Sequence, residues 1–188
     1  MKQDQVLKLF QDCGALLSGH FELSSGLHSG QYLQCALLLQ HPPLAGVLSE
    51  ELSRQFKKEK IDVVIAPAIG GIVVAHETAR SLKARALFCE RKQAKMTLRR
   101  GFELKPGENV LVVEDVVTTG GSVKEIIRIV KESKARLAGV GVLVERNPQE
   151  KDFGVKYKSL LNLNIETFPL NQCPLCEQGL PLVKPGSR

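Results

Sequence analysis

The chain has 188 residues, of which 43% are hydrophobic and 24% are charged, a balance that predicts a soluble globular protein and excludes disordered and fibrous classes. It has no Trp and only 5% aromatic residues, which argues against a stacking platform for single-stranded nucleic acid. The formal net charge is +6, and the whole excess lies in residues 83–105, which hold eight basic and two acidic side chains. Such a local cluster indicates an anionic ligand at one site.

The first third of the chain predicts a helix, a pair of strands and a second helix. Apolar residues at helical spacing predict a helix within residues 4–17, and short apolar runs among Gly, Ser and His predict a β-hairpin within 20–39. Pro42 can begin a helix that ends in the lysine-rich residues 57–60. The apolar face predicted for this helix consists of Leu44, Val47, Leu48, Leu52 and Phe56.

Strands and helices alternate along the rest of the chain. Four apolar runs with almost no polar alternation predict central strands that are covered on both faces, at residues 63–66, 86–89, 110–113 and 140–144. Helical stretches fall between them, at about 71–82 and 121–133. This alternation predicts an α/β fold with a mostly parallel central sheet and flanking helices. We expect a single domain over 1–188, with an irregular tail from residue 171 on.

Apolar runs and cysteines bear on the location of the protein. The N-terminus is polar, and the longest uncharged apolar run, residues 63–75, is too short to cross a bilayer. Five cysteines, an odd number, suit a reducing cytoplasm. For Cys173 and Cys176, a tight surface turn with two free thiols is favoured over half of a zinc site completed by another subunit and over a local disulfide.

Residues 110–122 form the most informative stretch, in which an apolar strand leads to two acids and then to a Thr/Gly-rich turn that opens a helix. A phosphate can bind at such a helix N-terminus through exposed N–H groups and hydroxyls. Glu114 and Asp115, at the carboxyl end of the strand, can accept hydrogen bonds from sugar hydroxyls. The alternative is an ordinary strand-to-helix turn. A Walker lysine and a GxGxxG motif are both absent from the sequence, which argues against triphosphate or dinucleotide binding.

All thirteen positions of 110–122 match the signature of the phosphoribosyltransferases that bind phosphoribosyl pyrophosphate, and the chain resembles the orotate phosphoribosyltransferases over nearly its full length. Residues 19–29 are similar to that family's N-terminal base-binding segment, 65–72 to its pyrophosphate loop and 90–95 to the start of its mobile catalytic loop. The resemblance implies a type I phosphoribosyltransferase fold, in which residues 1–40 form a small hood over the base.

The same resemblance implies an activity and a set of site residues. The reaction would transfer ribose 5-phosphate from phosphoribosyl pyrophosphate to orotate, in pyrimidine biosynthesis. The implied catalytic residues are Asp115, Arg91, Lys92 and Lys95. The implied phosphoribosyl-pyrophosphate-binding residues are Glu114, Asp115, Thr118, Thr119, Gly120, Gly121, Ser122, Ala68, Ile69, Gly70 and Gly71. The implied orotate-binding residues are Ser24, Tyr32, Leu33, Thr119 and Arg146.

The resemblance also implies a cofactor and partners. Mg²⁺ would be held mainly through substrate oxygens and water, as this hard ion prefers. The protein would be a cytoplasmic homodimer in which the charged loop 90–101 serves the neighbouring subunit's site. Since this loop has five basic residues and little apolar content, we expect it to be mobile, with a solvated hairpin as the alternative. No nucleic-acid or membrane partner is expected.

Three positions depart from the family pattern. Ser24 and Gly70 stand where many relatives carry a lysine, and Thr97 falls where a loop histidine is usual, so Arg99 or Arg100 would have to compensate. His20 and His28 are interpreted as structural.

Two other functions remain open at this stage. The first is phosphoribosyl transfer to another base, and the second is a non-catalytic regulator that senses phosphoribosyl pyrophosphate and binds nucleic acid.

Overall fold

The computed structural model describes residues 1–23, 25–146, 148 and 151–185. The helices are α1 (Gln3–Asp12), α2 (Cys35–Leu39), α3 (Pro42–Arg54), α4 (Gly70–Leu82), α5 (Gly121–Glu132) and α6 (Pro174–Glu177), and a 3-10 turn spans Leu170–Gln172. The strands are β1 (Leu16–Glu22), β2 (His28–Leu33), β3 (Val63–Pro67), β4 (Arg85–Lys92), β5 (Lys95–Leu98), β6 (Asn109–Val117), β7 (Arg136–Arg146) and β8 (Tyr157–Leu163).

The main sheet has six strands in the order β5-β4-β3-β6-β7-β8, and every pair except β4–β5 is parallel. This arrangement confirms the predicted α/β fold and the four predicted central strands. Because side chains alternate along a strand, β6 sends Leu111 and Val113 into a core beneath α3 and α4, and Val110 and Val112 into a second core beneath α5. The buried parts of the central strands are therefore apolar on both faces.

A separate two-stranded antiparallel sheet, β1–β2, forms the predicted N-terminal hairpin. The C-terminal tail runs along it. Val183 exchanges backbone hydrogen bonds with residues of β1, since its N–H donates to the His20 carbonyl at 2.8 Å and its carbonyl accepts from the Glu22 N–H at 2.9 Å. Phe168 pairs in the same way with His28. The hairpin and the tail thus form one unit.

Several details of the predicted elements were wrong. The first helix ends at Asp12, because Gly14 adopts a left-handed conformation with φ of 64°. Helix α3 ends at Arg54, before the lysine-rich residues. Val47, predicted on its apolar face, is 47% exposed, because the helix turns Ala45, Leu48 and Leu52 toward the core.

Four helices and strands were not predicted from the sequence: α2, β5, β8 and α6, the last of which lies in the tail that was expected to be irregular. Strands β5 and β8 lie at the two edges of the main sheet, where one side meets solvent and polar residues interrupt the apolar pattern. Residues 90–101, expected to be a mobile loop, include the β4–β5 hairpin, which is the form that we kept as the alternative. Within the described residues, every helix is too short or too polar to cross a membrane.

Candidate active site

The acid pair lies near the end of β6, between β3 and β7, where the carboxyl ends of three parallel strands meet. Because they are consecutive residues of a strand, Glu114 and Asp115 point to opposite faces of the sheet. Both side chains are half-buried. Burial, followed by the neighbouring Asp115 charge, raises the pKa of Glu114 to about 8, and burial also raises the pKa of Asp115. The site therefore holds two carboxyl groups whose charged forms the protein itself does not fully stabilise.

Cys35, at the start of α2, contacts Asp115 and was not predicted as a site residue. Its side chain forms a hydrogen bond with the Asp115 carboxylate, which also accepts hydrogen bonds from the backbone N–H groups of Asp115 and Val116. Burial, and then the Asp115 charge, raise the pKa of the Cys35 thiol well above its usual range, so the thiol keeps its proton and remains a donor. These contacts fix the orientation of the Asp115 side chain.

The turn after β6 ends in a helix N-terminus that is open to a ligand. Thr118 and Thr119 are exposed, and Gly120 adopts φ of 77° with its Cα against the Phe153 ring, which a Cβ atom would meet at 3.0 Å. Helix α5 begins at Gly121, and no side chain caps it. The first N–H groups of the helix and the neighbouring hydroxyls can therefore bind a phosphate.

A second uncapped helix N-terminus faces the acid pair from β3. The peptide bond between Ala68 and Ile69 is cis, and α4 begins at Gly70 without a side-chain cap. A Cβ atom on Gly70 would overlap the Asp115 carboxylate, so the loop backbone lies directly against β6. A Cβ atom on Gly71 would lie only 2.9 Å from the Cβ of Ala66. The structure thus brings the predicted pyrophosphate loop and the predicted ribose-binding acids into one site.

The β4–β5 hairpin carries the positive charge, and two of its arginines already have partners. Arg91 donates to the Glu125 carboxylate on α5 at 2.7 Å and to the Ala94 carbonyl at 2.8 Å. Arg100 binds Glu90 through two hydrogen bonds of 2.9 Å. Arg91 is also close enough to Glu114 to favour its charged form, although burial outweighs this effect. Glu125 was not identified from the sequence.

Lys92 and Lys95 lie on the same hairpin, but their surroundings differ from those of the two arginines. They stand directly opposite each other across the hairpin and are both exposed. Within the described part of the chain, neither lysine forms an ion pair. Like charges at opposed strand positions repel each other, and an anion placed between them would relieve that repulsion. The pair is therefore suited to a mobile anionic group.

Arg146, the last residue of β7, lies near Tyr32 of the β1–β2 hairpin. Its guanidinium is half-buried, and its Nε is fully buried without a hydrogen-bond partner among the described residues. Burial lowers the pKa of Arg146, while the proximity of Tyr32 acts in the opposite direction. An unpaired buried donor is costly unless a ligand accepts from it. Arg146 is therefore suited to bind a planar carboxylate or carbonyl.

The other predicted base-binding residues lie in different surroundings. The Tyr32 ring is half-buried, with its centroid 5.7 Å from that of Phe21. Leu33 is 8% exposed and its side chain packs in the core. Only its backbone is therefore available to contact a ligand. Ser24 lies outside the described residues. Their roles toward the base stay predictions.

Comparisons with known proteins identify the class of this site. The profile of the phosphoribosyl transferase domain family matches residues 37–172. Over 188 residues the chain is 54% identical to an orotate phosphoribosyltransferase of Thermoanaerobacter sp. (strain X514), covering 100% of this chain and 99% of the relative. It is 50% identical over 183 residues to that of Thermotoga maritima, covering 97% and 98%. The crystal structure of orotate phosphoribosyltransferase from Aeropyrum pernix superimposes with a TM-score of 0.72 at 26% identity, covering 84% of this chain and 93% of that one.

Proposed function

The chain belongs to the orotate phosphoribosyltransferase family, and from this premise we infer that it transfers ribose 5-phosphate from phosphoribosyl pyrophosphate to orotate, giving orotidine 5′-phosphate and pyrophosphate. The observation that carries the inference is the position of the acid pair between two uncapped helix N-termini. Such an arrangement fits a sugar that bears an anionic group at each end. The sequence relatives, together with the unpaired Arg146 Nε, favour orotate as the acceptor.

Each part of phosphoribosyl pyrophosphate, the donor substrate, has a group in the site that would bind it. The N–H groups at the start of α5 and the hydroxyls of Thr118, Thr119 and Ser122 would anchor the 5′-phosphate. Glu114 and Asp115 would accept hydrogen bonds from the ribose hydroxyls. The backbone N–H groups of the Ala68–Gly71 loop would bind the pyrophosphate. Fixing both ends of the donor presents its anomeric carbon to the base without a protein nucleophile.

Bond breaking at the anomeric carbon develops positive charge on the sugar and negative charge on the leaving pyrophosphate. The carboxylates of Glu114 and Asp115 lie where they would stabilise the sugar's charge. Lys92 and Lys95, opposed at the hairpin end, would close on the leaving group and exclude water, which limits hydrolysis. Since Arg91 and Arg100 already bind Glu125 and Glu90, the two lysines are the better candidates for this role.

The oxygen ligands that the site offers fit Mg²⁺. Two adjacent carboxylates whose pKa values are both raised supply hard oxygen ligands and unbalanced negative charge. Asp115 and Glu114 would hold the ion, mainly through water and together with oxygens of the substrate. When bound, Mg²⁺ supplies positive charge that offsets the charge of the pyrophosphate group.

Three further expectations belong to the proposal. A single domain over 1–188 would use residues 1–40 as a hood over the base and 171–188 as a tail against the hood. The protein would act as a cytoplasmic homodimer. The exposed β4–β5 hairpin would serve the site of the neighbouring subunit, where its unpaired lysines would find the pyrophosphate.

A panel of acceptor bases tests the inferred specificity. The protein is incubated with phosphoribosyl pyrophosphate, Mg²⁺ and either orotate, uracil, adenine or hypoxanthine, and nucleotide formation is followed by chromatography. We expect the orotate reaction alone to form nucleotide. Turnover of adenine or hypoxanthine without turnover of orotate would refute the assignment, and binding of phosphoribosyl pyrophosphate without any turnover would favour a regulator.

A further inference from the structure

We propose that His20, His28, Cys173 and Cys176 form a tetrahedral zinc site that fastens the C-terminal tail to the N-terminal hairpin. One potential ligand atom from each of these side chains lies within 4.8 Å of all the others. The two histidines come from β1 and β2, and the two cysteines flank the start of α6. This cluster is separate from the acid pair, and the proposed transfer reaction does not use it.

Three sulfur–nitrogen distances within the cluster match those of a closed metal site, and the two ring nitrogens lie closer together. Cys176 Sγ lies 3.3 Å from His28 Nδ1 and 3.7 Å from His20 Nε2, and Cys173 Sγ lies 3.5 Å from His20 Nε2. The two ring nitrogens are 2.8 Å apart. A tetrahedral Zn²⁺ with sulfur at about 2.3 Å and nitrogen at about 2.0 Å places its ligand atoms roughly 3.3–3.8 Å apart. Small side-chain shifts therefore suffice to admit the ion.

The orientation of His20 suits a metal ligand. Its Nδ1 lies 2.9 Å from the carbonyl oxygen of Leu180, which can only accept, so Nδ1 carries the proton. Nε2 then directs its lone pair at the other three ligand atoms. A backbone carbonyl that accepts from the other ring nitrogen, and so fixes the tautomer, is a usual partner of a zinc-bound histidine. The tail supplies this carbonyl as well as both thiols.

The chemical types of the four ligands determine which ion would bind. Two thiols and two imidazoles are ligands for Zn²⁺, whereas Mg²⁺ prefers oxygen. Three of the four side chains are buried, with exposed fractions of 3% for His20, 3% for His28 and 2% for Cys173. Both cysteines are free thiols in the structure, so no disulfide competes for the sulfurs. Four protein ligands would leave no open position, which is typical of structural zinc.

The site would connect distant parts of the chain, since Cys173 is 153 residues from His20. A cross-link over so long a loop restricts the unfolded chain strongly. It also ties the tail to the hairpin that carries Tyr32. The sequence analysis favoured two free thiols and kept a zinc site completed by another subunit as an alternative. The structure instead places two histidines of the same chain beside these cysteines.

Metal analysis tests the proposal directly. The full-length protein is purified under reducing conditions without chelator, and its zinc content is measured by inductively coupled plasma mass spectrometry. We expect about one zinc ion per chain. Cys176→Ser, which alters the exposed ligand, should lose most of this zinc, whereas the control Cys13→Ser, outside the cluster, should retain it. Equal zinc in the wild type and in Cys176→Ser would refute the ligand set.

Cobalt substitution provides an independent measurement on the wild-type protein. After removal of metal, addition of Co²⁺ should produce the thiolate charge-transfer and ligand-field absorption of a tetrahedral site, and one equivalent of Zn²⁺ should abolish it. Zn²⁺, but not Mg²⁺, should also restore the melting temperature that chelation lowers. Purified protein without zinc, together with no thiolate–cobalt absorption, would overturn the proposal. Neither outcome depends on phosphoribosyl transfer.

Discussion

The backbone of Gly70 lies so close to the Asp115 carboxylate that a Cβ atom at position 70 would overlap it. This contact joins the loop before α4 to the end of β6, and so joins the proposed pyrophosphate and ribose subsites. It also accounts for a departure from the family pattern, because the lysine that is common at this position would collide with Asp115. In the proposed function, the cations for pyrophosphate would therefore come from the β4–β5 hairpin.

Gly70→Ala should displace the Asp115 side chain and lower kcat/KM for phosphoribosyl pyrophosphate by about 100-fold, the usual effect of misplacing a catalytic group by about 1 Å. Steady-state kinetics provide the measurement. Gly46→Ala is the matched control, because a Cβ atom there would meet only the ends of flexible side chains, at 3.4 Å and 3.5 Å. Wild-type kinetics for Gly70→Ala would show that the close contact has no role in the site.

Asp115→Asn should reduce the use of phosphoribosyl pyrophosphate by about 100-fold while preserving the melting temperature. The raised pKa of Asp115 shows that burial disfavours its charged form, so the neutral amide should be tolerated at least as well by the fold. The exposed Asp12, which pairs with Lys8 at 2.9 Å, provides the control Asp12→Asn. Unchanged kinetics for Asp115→Asn would remove the ribose-binding role.

Glu114 should make the stability of the protein depend on pH. Its pKa is raised from 4.5 to about 8 in the folded state, so the folded state holds this proton more tightly than the unfolded state does. The stabilisation is complete below pH 4.5 and is lost as pH rises toward 8. Urea unfolding should therefore show that Glu114→Gln becomes more stable relative to the wild type between about pH 5 and about pH 8. A pH-independent difference would contradict this assignment.

Arg146→Lys should raise KM for orotate by about 10-fold or more, because an ammonium cannot reproduce a bidentate guanidinium contact. The KM for phosphoribosyl pyrophosphate should change little. Arg136→Lys, at the other end of β7 and exposed, tests whether any lysine in this strand has the same effect. A KM for orotate that moves equally in both variants would exclude a specific contact at Arg146.

Sharing of the β4–β5 hairpin between subunits can be tested by complementation. Lys95→Ala and Asp115→Asn proteins, each strongly impaired alone, are mixed under conditions that exchange subunits. A heterodimer would combine an intact acid pair with an intact hairpin in one of its two sites, so about a quarter of the wild-type activity should return. No recovery after verified exchange would place each hairpin over the site of its own subunit.

The parts of the site that are local in sequence could be predicted from it. The strand, acid pair, glycine turn and helix of residues 110–122 occur as expected, because thirteen consecutive residues determine them. Contacts between distant residues could not be predicted. Nothing near Cys35 in the sequence points to Asp115, and the histidines at 20 and 28 meet the cysteines at 173 and 176 only because the tail returns to the hairpin.

The edge strands of the main sheet could not be predicted from the sequence for a different reason. Strands β5 and β8 are half-exposed, so their polar residues obscure the alternation that marks a strand. The five basic residues of 90–101 also made the segment around β5 resemble a mobile loop. The partners that hold this hairpin, Glu125 for Arg91 and Glu90 for Arg100, include one acid that lies 34 residues away.

The central claim is best tested by the absorbance of orotate, followed after phosphoribosyl pyrophosphate and Mg²⁺ are added to the purified protein. We predict that orotate disappears only when both are present, and that orotidine 5′-phosphate and pyrophosphate each form in an amount equal to the orotate consumed. Orotate that remains unchanged under these conditions, while the same preparation binds phosphoribosyl pyrophosphate, would contradict the account.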